Sequence, residues 1–532
     1  MRPSDLPKII RRRKSLARRA LVLTAGFAAA IITFAISRDP GPGLDPDSAS
    51  YLGAARSLAR GDGYRVPIAS WAALDSTAPL THFPPGYPIA VALPTSLGMA
   101  PLQSARLVNV IAAFVDVTLA TALVAIAAGE LAASLIPVVL LAMPAFVEAH
   151  IPVLSEPLFL ACLLATLFGM REMAASLSER HRLGWSFVAG GTASLAAMVR
   201  YVGISACGAS TLWAILLPGT LRDRFRRAAF STVPWLVLTI AWIFHTRHAG
   251  GPSAIRRIGA YGGIGETLRQ GVATVVAWLV PLSSDDTLPG RRWIALGVAG
   301  LLLWAVVSGV RRAARLASAD TRSAGSRPLV ERVPLPVIAA AVLLGASYGA
   351  VLLASRLLAD PGIPFDDRLL LPLFVLGAIV AVISIRSWWR GARLPARLAC
   401  GVLLAGWLLA CYHVSSDDVD WVLENGYDLA GDPWRSSALI AWARANATGQ
   451  ALYSNWPSAV VLQLGRPSHE TPLTSDTSAL RQFASAVRAR GGVVLAFDTE
   501  SPDLIGVDEL LRAPGFRQLA HLADGSVFEA VP

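Results

Sequence analysis

The residues of this chain that could do chemistry fall in short polar stretches between long apolar runs. Leu44-Asp45-Pro46-Asp47 sets two carboxylates two positions apart, and Tyr51 follows Asp47 by four residues. A carboxylate held beside a reacting hydroxyl serves as a general base. The same residues suit the start of a helix, Asp45 as a turn residue before proline and Asp47 as a cap that accepts backbone N–H bonds. The capping and catalytic roles are compatible, and spacing leaves open which of the two acids would be the base.

Three further stretches carry candidates. Thr81-His82-Phe83-Pro84-Pro85-Gly86-Tyr87-Pro88 is a proline-stiffened loop in which His82 and Tyr87 are the polar aromatic groups. Ser155-Glu156-Pro157 places a carboxylate at the edge of an apolar block, where it is costly unless it faces a cavity or a partner. Arg200 and Arg368 sit at the edges of two other blocks, on the side where arginine is disfavoured. Salt bridges to Asp366 or Glu156, or snorkelling, would account for them. The functional reading is phosphate capture, which the planar guanidinium fork does well.

The elements that position these residues follow from hydropathy. Of 532 residues, 54% are hydrophobic and only 16% are charged, and the apolar residues come in uncharged blocks long enough to span a bilayer as helices. About eleven such blocks are legible: 20–36, 104–128, 131–148, 157–174, 185–200, 202–218, 229–246, 292–310, 334–356, 368–385 and 397–413. The net charge of +11 is gathered in short clusters between blocks, which argues for the positive-inside rule and against nucleic-acid binding. The clusters at 179–182, 222–227, 311–332 and 386–397 then face the cytoplasm, together with a basic N-terminus, 1–19. The loops 37–103, 149–156, 247–291 and 357–367 face outward.

These patterns predict a mainly α, polytopic membrane protein. Its membrane domain is 20–413 with a large first outer loop, 37–103. Within that loop Ser48–Arg60 reads as a short surface helix ended by Gly61 and Gly63. Residues 414–532 read as a small extracytoplasmic α/β domain, with β-like runs at Gln450–Tyr453, Val493–Phe497 and Ser526–Val531. Helical stretches at Ser436–Ala445, Ala479–Arg490 and Asp508–Arg512 alternate with those runs. The four cysteines all lie in apolar blocks without metal-ligand spacing and read as small buried hydrophobes.

The ordered set of features resembles the GT-C superfamily of membrane glycosyltransferases, in its protein mannosyltransferase-like and aminoarabinose-transferase-like branch. The matching features are Asp47 with Tyr51, Pro84-Pro85-Gly86-Tyr87, Ser155-Glu156-Pro157, Arg200-Tyr201-Val202-Gly203 and Arg368 with Pro372. The resemblance covers residues 10 to about 415. It implies a polyprenyl-phosphate-linked sugar donor, an envelope acceptor and inverting transfer at the outer face of a bacterial cytoplasmic membrane. Asp47 would be the base and Glu156 would orient the acceptor or support that base. Asp45, Tyr51, His82, Tyr87, Arg200 and Arg368 would bind substrate. No cofactor is required, because the arginines supply positive charge, although Asp45 and Asp47 could hold a divalent metal. The rivals are a lipid-linked sugar flippase, for which Asp116 in the second span is the one intramembrane candidate, and a non-catalytic envelope-assembly protein.

Overall fold

The computed structural model describes residues 6–38, 41–250, 259, 261, 263–282, 290–322, 335–359, 362–499, 501 and 503–532. They form two compact units. One comprises Met1–Ile36, Val108–Ile151 and Ser155–Asp420; the other comprises Ser37–Leu107, Pro152–Leu154 and Trp421–Pro532.

The first unit is helical. Among the described residues, eight helices are long and apolar enough to cross a membrane: Leu16–Ile36, Pro101–Ala128, Glu156–Ala175, Leu221–Ala249, Arg291–Arg312, Leu335–Leu358, Asp367–Trp389 and Leu394–Asn425. Shorter apolar helices, Glu130–Ala142 and Tyr201–Leu216, and the helix Glu179–Val199 account for the other blocks read from sequence. The chain is a multi-pass membrane protein.

Two blocks depart from plain helix for local reasons. The block 131–148 is broken into Glu130–Ala133, Leu135–Ala142 and Pro144–Ala149. Pro144 disfavours helical backbone in the residue before it, and Met143 is extended, at φ −81° and ψ 121°. The stretch 247–291, expected to be a loop, contains the helix Ile264–Leu279. It is fixed by Thr274 Oγ1 donating to the Phe365 carbonyl at 2.8 Å and by Trp278 Nε1 donating to Asp367 Oδ1 at 2.5 Å.

Helices in this unit approach closely where small residues allow it. A Cβ on Gly190 would stand 2.1 Å from the Ser231 carbonyl oxygen, and one on Gly309 equally close to that of Ser384.

The second unit is a three-layer α/β domain. Its strands are β1 (Arg65–Val66), β2 (Ile68–Ala69), β3 (Ala78–Pro79), β4 (Leu452–Ser454), β5 (Ser468–Glu470), β6 (Val493–Phe497), β7 (Phe516–Leu522) and β8 (Gly525–Ala530). β1 and β3 form a small ribbon, and the other six form one sheet in the order β2-β5-β4-β6-β8-β7. The first four strands of that sheet run parallel, and the pairs β6–β8 and β8–β7 are antiparallel. β6 shows the two-residue period of a covered strand. Val493, Leu495 and Phe497 enter a core with Leu439, Ile440 and Val460 on one face. Val494 and Ala496 meet Leu480, Phe483 and Val487 on the other.

The sequence reading kept 37–103 apart from the C-terminal segment. In the structure β2, from the first loop, is an edge strand of the C-terminal sheet. Arg490 fastens the same loop by donating to the Trp71 carbonyl at 3.2 Å and to the Tyr453 hydroxyl at 2.8 Å.

Candidate functional site

In the second unit the acidic pair opens a helix that runs from Pro46 to Arg60, two residues earlier than the spacing suggested. The cap is therefore Asp45, not Asp47. Asp45 Oδ1 accepts from Asp47 N at 3.0 Å, and Ser48 Oγ accepts from Asp45 N at 2.9 Å. Proline at the first helical position suits this start, since that position needs no donor. Asp47 lies in the first turn, where the positive end of the helix dipole favours a carboxylate. At the far end Gly61, at φ 82°, closes the helix in left-handed backbone.

Distant segments fix the approach to this helix. Val153 N donates to the Gly43 carbonyl at 2.8 Å, Leu429 N to the Leu44 carbonyl at 2.8 Å, and Ser48 Oγ to the Val153 carbonyl at 2.9 Å. Side chains behind the acids form an aromatic group. The Tyr51 ring lies 4.9 Å from Phe83 and 5.1 Å from Tyr87, and His82 packs edge-on to Phe83 at 4.7 Å. Tyr64 OH donates to the Phe83 and Pro84 carbonyls, each at 3.2 Å. Tyr87 opens a helix, Gly86–Ser96, that the sequence reading took for loop. Asp45, Asp47, Tyr51, His82 and Tyr87 thus lie in one unit.

The first unit brings together the other three. Glu156 opens the helix Glu156–Ala175, and its carboxylate oxygen Oε1 receives both Arg200 and Arg368. Glu156 is 4% exposed. Arg200 Nη1 also donates to Ser155 Oγ at 3.4 Å. Arg200 ends the helix Glu179–Val199 in extended backbone, before the tight turn Tyr201–Gly203. Gly203 explains part of the Arg-Tyr-Val-Gly run. Its N–H donates to the Arg200 carbonyl at 2.8 Å, and a Cβ there would lie 2.4 Å from the Ala196–Ala197 backbone.

Arg368 lies in the first turn of Asp367–Trp389, capped by Asp366, whose Oδ1 accepts from Leu369 N at 3.0 Å. Glu156 is a partner of both arginines. Pro372 has no N–H for the Arg368 carbonyl four residues back, a local gap in the helix ladder.

Glu156, Arg200, Arg368 and Pro372 line a narrow recess with Phe159, Tyr348 and Leu371. Tyr348 is 1% exposed and its hydroxyl donates to the Leu369 carbonyl at 2.7 Å. Sequence reasoning missed Tyr348 and Phe159, because each lies inside an apolar block and carries no charge signal. Two guanidiniums meeting at one point present several N–H donors together, an arrangement suited to an oxyanion. Among the described residues no cluster of three or more His, Cys, Asp or Glu side chains could hold a metal ion.

No protein-family model and no curated protein sequence matches the chain. Solved structures share its architecture over nearly its whole length. ArnT from Cupriavidus metallidurans, bound to undecaprenyl phosphate, superposes with a TM-score of 0.54 at 15% identity over 94% of this chain and 97% of its own. Arabinofuranosyltransferase AftD from Mycobacteria gives 0.54 at 13% identity, over 97% of this chain and 42% of its own. Oligosaccharyltransferase AglB from Archaeoglobus fulgidus, in complex with an inhibitory peptide and a dolichol-phosphate, gives 0.51 at 12% identity, over 89% and 69%. The chain shares the fold of these three structures. At these identities the likeness speaks for architecture alone.

Proposed function

We propose that this protein transfers a sugar from a polyprenyl-phosphate-linked donor to an envelope acceptor at the outer face of a bacterial cytoplasmic membrane. The observation that carries the reading is the convergence of Arg200 and Arg368 on Glu156 beside a recess. Two arginines held at the ends of membrane helices are what a lipid-borne phosphate requires. Similar architecture in ArnT, solved with undecaprenyl phosphate, supports it. The basic clusters favour a cytoplasmic N-terminus, with the second unit outside.

In the proposed reaction the acceptor hydroxyl oxygen attacks the anomeric carbon, and the bond from that carbon to the phosphate oxygen breaks. Attack opposite the leaving group inverts the configuration. Asp47 takes the hydroxyl proton. Arg200 and Arg368 stabilise the charge that grows on the departing phosphate. Asp47 is preferred to Asp45 as base because the Asp45 carboxylate already caps its helix. Glu156 is assigned the orientation of the two guanidiniums rather than of the acceptor, because its carboxylate lies on them. Tyr51, His82 and Tyr87 are assigned to the acceptor side. A divalent metal on Asp45 and Asp47 is not required.

The test is transfer from radiolabelled polyprenyl-phosphate sugar by the purified protein. Asp47→Asn should lower the rate by a factor of about 100 or more, the range for loss of a general base. Full transfer by that variant would remove Asp47 from the mechanism. Unchanged binding of undecaprenyl phosphate by Arg368→Ala would remove the arginines from it.

A further inference from the structure

Asp116 is the intramembrane carboxylate that the proposed reaction leaves without a role. It lies in the middle of the helix Pro101–Ala128 and is 0% exposed. An acidic side chain buried in an apolar bundle is costly, so a stable bundle holds one against a partner. The partner is His150, 1% exposed, whose Nε2 lies 3.2 Å from Asp116 Oδ2. His150 follows the short helix Pro144–Ala149 and precedes Glu156 by six residues. Its ring leans on Phe146 at a centroid distance of 4.3 Å.

Hydrogen-bond chemistry fixes what the pair shares. His150 Nδ1 lies 2.7 Å from the Phe146 carbonyl oxygen, which only accepts, so Nδ1 carries a hydrogen. The Nε2–Oδ2 contact is then a bond only if one proton lies in it, on the imidazole or on the carboxyl group. With no proton there, two lone pairs would face each other in a dry interior. Asp116 Oδ1 has no hydrogen-bond partner among the described residues. Asp116 and His150 are therefore joined by this one bond. Cys162, on the helix that starts at Glu156, is the neighbouring titratable group.

We propose that Asp116 is a positioning residue for the arginine–carboxylate site, acting through His150. The shared proton ties the chain just before Glu156 to the helix Pro101–Ala128. That tether holds the start of the helix Glu156–Ala175 where its carboxylate meets both guanidiniums. The proposal rests on the lipid-phosphate reading of that site for its functional consequence, but its structural content can be measured alone.

The experiment uses the full chain in nanodiscs with three variants. Asp116→Leu breaks the bond and strands His150. Asp116→Asn keeps a neutral hydrogen bond of the same shape. The double variant Asp116→Leu/His150→Leu removes both polar groups and should recover the thermal stability that the single Leu variant loses. Hydrogen exchange is read on the peptide 150–156, and undecaprenyl phosphate binding is read by native mass spectrometry. In Asp116→Leu and in the double variant, exchange should rise about tenfold or more and lipid-phosphate binding should weaken by a similar factor, the scale of one lost charged hydrogen bond. Asp116→Asn should resemble wild type in both. Unchanged exchange in Asp116→Leu would overturn the tether. Wild-type binding by the double variant would reduce the pair to packing. Unchanged binding by Arg368→Ala, with altered exchange in Asp116→Leu, would instead refute the lipid-phosphate reading and leave the tether standing.

Discussion

Glu156 lies at the edge of an apolar block, where a carboxylate needs a partner, and the sequence offered Asp366 and Glu156 as alternative anchors for Arg200 and Arg368. The structure puts both arginines on Glu156, and Asp366 caps its own helix. Glu156→Gln would remove the buried carboxylate that both guanidiniums share. The expected loss is about 3–5 kcal/mol of stability, the cost of stranding a buried charge, read as a lower melting temperature. An added lipid phosphate should restore more of that stability in the variant than it adds to wild type. Equal shifts in the two proteins would contradict anion binding at the arginines.

Elements place these side chains, and two predictions belong to that scale. Gly203 lets the turn after Arg200 close against the Ala196–Ala197 backbone. Gly203→Ala should therefore displace Arg200 and weaken lipid-phosphate binding about tenfold, although the variant changes no polar group. Gly208→Ala, with open space around it, should bind as wild type.

The second concerns the junction of β2 with β5. His469 is 3% exposed, stacks on Tyr453 at 4.9 Å and has Nδ1 3.0 Å from the Ser70 carbonyl oxygen. Burial, with the Arg490 charge adding to it against the pull of the Ser70 bond, holds the imidazole below its ordinary value of 6.5. A depressed histidine contributes stability that is present above the unfolded value and lost as pH falls through the folded one. Protection of the amides at 68–71, taken relative to their intrinsic exchange, should thus fall on acidification below about pH 6.5, and His469→Gln should flatten that dependence. A wild-type profile in the variant would place the titration elsewhere.

At the scale of the whole chain, the tail is not an appendage to a finished membrane protein. The first loop and residues 421–532 form one compact unit. β2 needs β5, Leu44 needs Leu429, and Trp71 packs on Phe483 at 5.8 Å. Truncation after Asn425 should therefore expose the loop 37–100 to proteolysis and abolish transfer, while the helical unit stays in the membrane. A truncated chain with an intact, protease-resistant first loop would show that the loop folds alone.

The sequence by itself determined the apolar blocks of the membrane unit, though not the helix Ile264–Leu279, and three of the strands in the tail. Both signals are local: an apolar block long enough for lipid has one backbone solution, and the short continuous apolar run Val493–Phe497 marks a strand covered on both faces. It also identified Glu156, Arg200 and Arg368 as anomalies, because charge there conflicts with an ordinary span, while Asp47 and Tyr51 stood out through the family resemblance. Tertiary structure alone decided that Asp45 caps, that Glu156 serves both arginines, that Tyr348 and Phe159 line their recess, and that β2 belongs to the distant sheet. Those choices depend on contacts between residues tens to hundreds of positions apart. Several partners of equal chemistry compete for each such contact, and only packing selects among them.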